Sequence, residues 1–480
     1  MDMRHLSSLI TAATCASTAL AQAPTLRTAP PSRGQGAREY ISVDAPVVVL
    51  DSVRIIDGTG APPIENRAIL IQNGKIAAIA AAGALNIPAG ARVLELPGHT
   101  VMPGLVGMHD HTYYSSGGRE TQLPYSAPRL YLGTGVTTIR TIGSIDPYTE
   151  LNIRKAIDAG ALPGPRMFIS GPYLNGGGTH VGRYHLKGPE DADHVIGYWA
   201  GEDVKWFKAY TSITRAELGA AIEAAHKRGL KITGHLCSVT FHEAAELGID
   251  NLEHGLLVAT DFDAAKKPDE CPAGARNSLV GHSATSPEVQ ALIRELVSRN
   301  VAITSTLAVW ETFVPNRPPL EPRVVEAMLP QVHDEVVAQR TRIASDGAAS
   351  PMNELFTTEL AFEREFVKAG GNLVIGIDPT GYGGALPGFG DQRNLELLVE
   401  AGFTPMEAVK IATSNGAALL GESARFGTVQ PGKLADLMVI RGNPATNMAD
   451  VRNLVTVFKD GVGYDSAKLL QAVKGSVGLR

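Results

Sequence analysis

Short apolar runs recur eight times through the middle of this 480-residue chain, at 105–111, 136–142, 166–174, 204–210, 230–236, 249–254, 301–307 and 372–378. Helical stretches separate them. At 215–228, for example, Leu218, Ile222 and Ala225 recur at helical spacing, and 406–420 has the same character. Runs without polar alternation read as strands buried on both faces, which is the signature of a parallel sheet covered by helices. Eight such units predict a (β/α)8 TIM barrel of the α/β class, with an open doubly wound sheet as the alternative. Two insertions, 258–286 and 311–350, exceed ordinary loops and are expected to fold over the barrel mouth.

Both ends of the chain have a different texture. Residues 47–50, 68–71 and 92–96 are strand candidates, and Asn73-Gly74 is a tight hairpin signal. Residues 435–440 and 455–458 repeat this β character near the other end. Ahead of them, Arg4 and His5 precede a small, mostly apolar stretch ending in Ala19-Leu20-Ala21, the pattern of a cleavable signal peptide over 1–21. Residues 22–45, rich in Pro, Arg, Ala and Gly, read as a flexible leader. A periplasmic or secreted protein is therefore expected. In such a compartment Cys237 and Cys271 can pair, although sequence leaves that open. Lys and Arg total 43 against 49 Asp and Glu, a net charge of −6. That balance argues against a nucleic-acid surface, which needs a basic excess. No apolar run is long enough for a membrane span.

Ligand-type residues gather at strand ends. His109 and His111 close the first run; side chains two apart on a strand point the same way, so both can grip one cation. Imidazole suits zinc and similar metals. His235, His254 and Asp378 end later runs, on the rim where barrel enzymes converge their chemistry. Lys208 lies within an apolar strand, where a buried ammonium is costly. Carboxylation to an anionic carbamate removes that cost; pairing with a barrel carboxylate or facing solvent are the alternatives. Lys205, three residues earlier, competes for the role from the other face.

At this point the chain resembles the metal-dependent amidohydrolase superfamily, in its prolidase-like and imidazolonepropionase-like branch. The marks are Pro-Gly-Leu-Val-Gly-Met-His-Asp-His at 103–111, Phe-Lys-Ala-Tyr at 207–210, Ala-His-Lys-Arg-Gly-Leu at 225–230 with Gly-His at 234–235, and Leu-Glu-His-Gly at 252–255. Gly-Ile-Asp-Pro at 376–379, Thr-Ser-Asn-Gly-Ala at 413–417 and Gly-Lys-Leu-Ala-Asp-Leu at 432–437 complete them. Gly107 and Thr141 stand where many relatives carry Asp; neither position is a ligand. The resemblance implies a composite β-sandwich from both chain ends (46–98 and 426–480) beside a barrel over 99–425. It implies two divalent cations, zinc by preference. His109, His111 and Asp378 would hold one, His235 and His254 the other, and carboxylated Lys208 would bridge them. Relatives often assemble, so a homo-oligomer is possible, and the sequence leaves the oligomeric state open.

Such a site makes hydroxide available at neutral pH and polarises a substrate carbonyl. Asp378 would act as general base and then acid. No Gly-x-Ser-x-Gly elbow occurs in the chain, so a serine hydrolase has little support. His180, Tyr113, Tyr210, Arg183 and His185 are the candidate substrate contacts, His180 for a carbonyl or oxyanion and Arg183 with His185 for a carboxylate. The expectation is hydrolysis of a small amide, either a dipeptide or an N-acyl amino acid. The alternatives are a mononuclear cyclic amidase, lactonase or deaminase, and a non-catalytic binder of metal or solute.

Overall fold

In a computed structural model, residues 35–177 and 183–478 are described. Eight parallel strands carry the predicted runs: β1 (Leu105–Asp110), β2 (Val136–Thr141), β3 (Ser170–Asn175), β4 (Trp206–Ala209), β5 (Lys231–Gly234), β6 (Asn251–Glu253), β7 (Ala302–Ser305) and β8 (Leu373–Ile375). Most residues of these strands are buried, as apolar runs covered by helices require. Pairing is parallel between β1 and β2 and along β3, β4, β5, β6, β7 and β8 in order. The arrangement is a TIM-barrel-like α/β fold.

The run expected as one strand over 166–174 is two. Arg166–Phe168 pairs with β2, and after Ile169 the chain turns so that β3 pairs with β4. Thr141 sits at this hand-over: its Oγ1 accepts the Ser170 N–H at 3.1 Å. That gives a physical reason for a small hydroxyl residue there. The far edge meets β1 through the segment after β8, where the N–H groups of Ile377 and Asp378 donate to the His109 carbonyl at 3.1 and 3.0 Å.

Helix starts are written into the sequence. Thr214 with Glu217, Thr240 with Glu243, and Thr404 with Glu407 form capping boxes, each contributing about 1 kcal/mol. The helix expected over 406–420 passes through a π-helical turn at Ile411–Asn415 before Gly416–Leu419.

Among the described residues, strands from both chain ends join in one nine-stranded sheet. Val47–Ile55 pairs with Ile64–Gln72, which turns at Asn73-Gly74 into Lys75–Ala81; both turn residues have positive φ, as the sequence requires. Leu437–Arg441 from the other end pairs with His99–Pro103. Val48, Leu50, Ile69, Val101, Leu437 and Phe458 form an apolar cluster of their own on this sheet. The flexible-leader expectation for 22–45 is corrected at its end. Ile41–Val43 is a strand paired with Val462–Asp465, because it adds to a sheet edge that the sequence alone does not place beside it. The proposed signal peptide lies outside the described residues. No helix among the described residues is long and apolar enough to cross a membrane.

Candidate metal and substrate site

The strand ends bring the predicted ligands together. Donor atoms of His109, His111 and Asp378 all lie within 4.8 Å of one another. Asp378 Oδ1 is 3.3 Å from His109 Nε2 and 3.2 Å from His111 Nε2, and its Oδ2 is 3.9 Å from His254 Nε2. The His254 ring centroid lies 4.5 Å from that of His109 and 4.4 Å from that of His235. Lys208 is buried, with Nζ 3.1 Å from His109 Nε2. Lys205, its competitor, reaches Asp203 at 2.7 Å and is half-exposed. The alternation along β4 therefore selects Lys208.

Two of the ligand candidates sit on strained backbone. His254 has φ of 72° and Asp378 φ of 50°, the left-handed region that costs a non-glycine residue about 1 kcal/mol or more. Asp378 is thus not the last strand residue, since β8 ends at Ile375. The turn after His254 is held by Glu359, whose Oε2 accepts the Leu257 N–H at 3.0 Å.

The donors fit a divalent cation. Burial pushes His111 and His235 down to about 3, and His254 well below the ordinary histidine value, so all three imidazoles are neutral and offer lone pairs. Burial opposes ionisation of Asp378, but His109, His111 and His254 outweigh it and hold its carboxyl well below the usual range. His254 Nε2 is buried without a hydrogen-bond partner among the described residues, as a waiting ligand atom would be. Burial lowers Lys208 to about 8, against the pull of Asp378 and Glu253.

Beneath this cluster lies a polar layer that no motif in the sequence marks. Arg140 is fully buried among the parallel strands; its Nη2 donates to Glu253 Oε1 at 2.9 Å and Asn251 Oδ1 at 2.8 Å, and its Nε to the Met108 carbonyl at 2.7 Å. Glu253 also accepts from Thr233, and its Oε2 lies 2.7 Å from His109 Nδ1. Burial disfavours the Glu253 charge, yet Arg140 and His109 bring the carboxyl down to about 2. Arg140 does not stand out in its strand, Val-Thr-Thr-Ile-Arg-Thr, and the one hint in the sequence is a glutamate beside the strand-end His254.

Gly107 is explained by its surroundings. A Cβ there would lie 1.8 Å from Asp110 Oδ2 and 3.0 Å from Asp391 Oδ1, so a buried pair of carboxyl groups fills the space a side chain would need.

Above the cluster opens a cavity of about 430 Å³, a size suited to a small molecule. Tyr113, Tyr173, Tyr210 and Arg183 line one part of it, and Arg276, Trp310, Phe313 and Tyr382 another. Both long insertions thus contribute to the rim. Tyr113 and Tyr173 share a hydrogen bond of 2.7 Å, and burial raises both phenols well above their ordinary value, so they stay protonated. Arg183 lies over the Tyr173 and Tyr210 rings, at 4.2 and 5.2 Å, and pairs with Glu120 at 3.1 Å. His185 is not among the residues lining the cavity; its Nδ1 lies 2.7 Å from the Gly176 carbonyl, which anchors the loop after β3. His180 lies outside the described residues.

The sequence profile of the amidohydrolase family matches residues 100–463. A dihydroorotase from Pelotomaculum thermopropionicum is 25% identical over 396 residues, covering 79% of this chain and 86% of that protein. An enamidase from Eubacterium barkeri is 24% identical over 395 residues, covering 79% and 82%. Among solved structures, a Xaa-Pro dipeptidase with bound methionine in its active site superposes with a TM-score of 0.64 at 20% identity, covering 87% of this chain and 100% of that one.

Proposed function

The chain belongs to the amidohydrolase family, and on that premise we propose an exported, binuclear hydrolase that cleaves the amide bond of dipeptides or N-acyl amino acids. At the coarser level it is a hydrolase of amide or cyclic amide bonds acting on a small molecule. The observation that carries the finer reading is the convergence of His109, His111 and Asp378 donors within 4.8 Å, with Lys208, His235 and His254 beside them. The same reading takes β1–β8 as a closed (β/α)8 barrel over 99–425. It takes the nine-stranded sheet as a composite β-sandwich from 46–98 and 426–480.

In this mechanism His109, His111 and Asp378 would hold one cation and His235 and His254 a second, with Lys208, as its carbamate, an anionic ligand available to both. Zinc suits this nitrogen and oxygen set. Divalent cations there supply Lewis acidity towards the substrate carbonyl and lower the pKa of water towards 7. Asp378, ionised and at the cavity floor, takes the proton from the attacking water and returns it to the leaving nitrogen. Tyr113 and Tyr173, held protonated, commit one proton to the hydrogen bond between them and leave the other as a donor for a substrate oxygen, and Arg183 provides positive charge for a terminal carboxylate. Lys208 supports the carbamate assignment in one respect. Its amine is free of its proton far more readily than an exposed lysine, and only the neutral amine reacts with CO2.

Export is supported by the signal-like residues 1–21 and by the bond between Cys237 and Cys271, since disulfides persist in oxidising compartments. A second reading, a mononuclear cyclic amidase, is favoured by one observation: His235 and His254 lie outside the tight three-residue donor group. Metal analysis of the purified protein decides between them, two equivalents per chain supporting the first reading and one the second. A panel of dipeptides, N-acyl amino acids and cyclic amides then tests the bond. Turnover must fall with chelator, and Asp378→Asn must lower it by about 10²–10⁴-fold. Full activity in that variant removes the mechanism.

A further inference from the structure

The cavity has a second cation, at the rim given by the long insertions. Arg276 belongs to the 258–286 insertion and lines the cavity beside Trp310, Phe313 and Tyr382. Its guanidinium carbon sits 4.5 Å from the Trp310 ring centroid and 5.8 Å from that of Phe313. Phe313 in turn packs on Tyr382 at 5.0 Å. Trp310 is fixed by its indole N–H, which donates to the His254 carbonyl at 2.9 Å, so this wall is tied directly to a ligand strand.

Arg276 lacks a counter-charge. Its one hydrogen bond is a long one, Nε to the Leu257 carbonyl at 3.4 Å, and no carboxylate lies within ion-pair distance among the described residues. Burial works against its charge. A partly desolvated guanidinium without an acid is unfavourable unless something else supplies the anion. The segment is also held firmly. Cys271 is bonded to Cys237, two residues past His235, and the Asp269 carboxylate accepts from the Arg215 N–H at 2.8 Å and Nε at 3.1 Å. An arginine fixed this way is preorganised for a carboxylate.

The acids of the cavity wall are committed elsewhere: Glu120 pairs with Arg183, and Asp378 belongs to the histidine cluster. A free α-ammonium would therefore meet Arg276 with no acid to receive it. Arg183 lies on the side of β3 and β4, whereas Arg276, Trp310 and Tyr382 follow β6, β7 and β8.

We propose that Arg276 and its aromatic wall form the subsite for the acyl half of the substrate, and that this half is N-blocked and carries its own carboxylate. The substrate class is then an amino acid acylated by a dicarboxylic acid, anionic at both ends. This rests on the amide-hydrolase reading above and narrows it.

The test is a matched pair, N-succinyl- and N-butyryl-phenylalanine, with a free dipeptide as third compound. Wild-type metal-loaded protein should turn over the succinyl compound with at least tenfold higher kcat/KM than the other two. Arg276→Met should bring the succinyl-to-butyryl ratio close to one, and Arg276→Lys should retain part of it. Equal or better use of the butyryl compound or the dipeptide by wild type overturns the subsite and leaves amide hydrolysis standing. Calorimetric titration of N-succinyl-phenylalanine separates the two claims. Binding that Arg276→Met weakens tenfold, without turnover of any amide, supports the subsite and defeats the hydrolytic reading. Binding indifferent to Arg276 defeats the subsite. Unchanged melting of the variant shows that the loss is not one of folding.

Discussion

Glu253 Oε2 lies 2.7 Å from His109 Nδ1, among the parallel strands where neither side chain meets solvent. The ionised carboxylate can only accept, so Nδ1 carries the proton and Nε2 presents its lone pair to the ligand cluster. Arg140 stands on the other side of the same carboxylate at 2.9 Å. Orientation of the candidate ligand His109 and neutralisation of a buried charge therefore meet at one residue.

Replacing Glu253 with Gln keeps the size but gives His109 a weaker acceptor. Metal affinity or turnover should fall about 10–100-fold, measured by competition with a chelator and by kcat/KM. Arg140→Met leaves Glu253 as an uncompensated buried charge and should cost about 3–5 kcal/mol in denaturant unfolding. Wild-type stability in Arg140→Met would show that the pair is dispensable.

Lys208 should carry one extra CO2 in metal-loaded protein, visible as added mass under non-denaturing conditions and absent from Lys208→Met. Reconstitution of stripped protein with metal should be slower in CO2-free buffer. Equal rates with and without bicarbonate would favour an unmodified lysine and a single cation.

Glu363 and Asp391 are buried carboxyls that desolvation raises to about 8, from ordinary values of 4.5 and 3.8. Between those limits the folded protein keeps protons that the unfolded chain releases. Their effect is to make stability decline as pH rises from about 4 towards 8, and to level off above that. Glu363→Gln mimics the protonated form, so its urea midpoint should fall less than wild type between pH 5 and pH 8. Parallel curves for the two proteins would exclude Glu363 as a source of the slope.

The bond between Cys237 and Cys271 closes a loop of 34 residues. By the chain-entropy estimate its loss in Cys237→Ser/Cys271→Ser should cost about 3–4 kcal/mol. Arg276 lies just past Cys271 in the insertion that the bond anchors, whereas His254, inside the loop, follows a strand paired on both sides, so KM should rise more than kcat falls. A reverse split would place the segment in the chemical step.

Much of the site was legible because strand ends announce themselves. His109, His111, His235, His254, Lys208 and Asp378 each sit at or next to the end of an apolar run, and the structure gathers them at one rim. Other residues carried no comparable signal. Arg140 looks like any strand arginine until Glu253 and Asn251 are found opposite it, 113 and 111 residues away. His185 has the composition of a substrate contact, yet the return of the chain after β3 points it at the Gly176 carbonyl. Arg276 lies in an insertion without periodicity, and the Cys237–Cys271 bond and the Asp269–Arg215 pair show where that insertion is held.

Sequence by itself determined the strand and helix alternation, the Asn73-Gly74 turn, the capping boxes and the ligand types at strand ends. All of these are set by neighbours a few residues apart. Tertiary structure decided which buried charges face each other, where Ile169 divides one strand into two, how Ile41–Val43 joins the terminal sheet, and which arginine is left without an acid. Those outcomes depend on contacts between separate elements of the chain, from a few tens of residues apart at Ile169 to more than a hundred at Arg140 and Glu253, and desolvation gives them their energy only once the chain has closed around them.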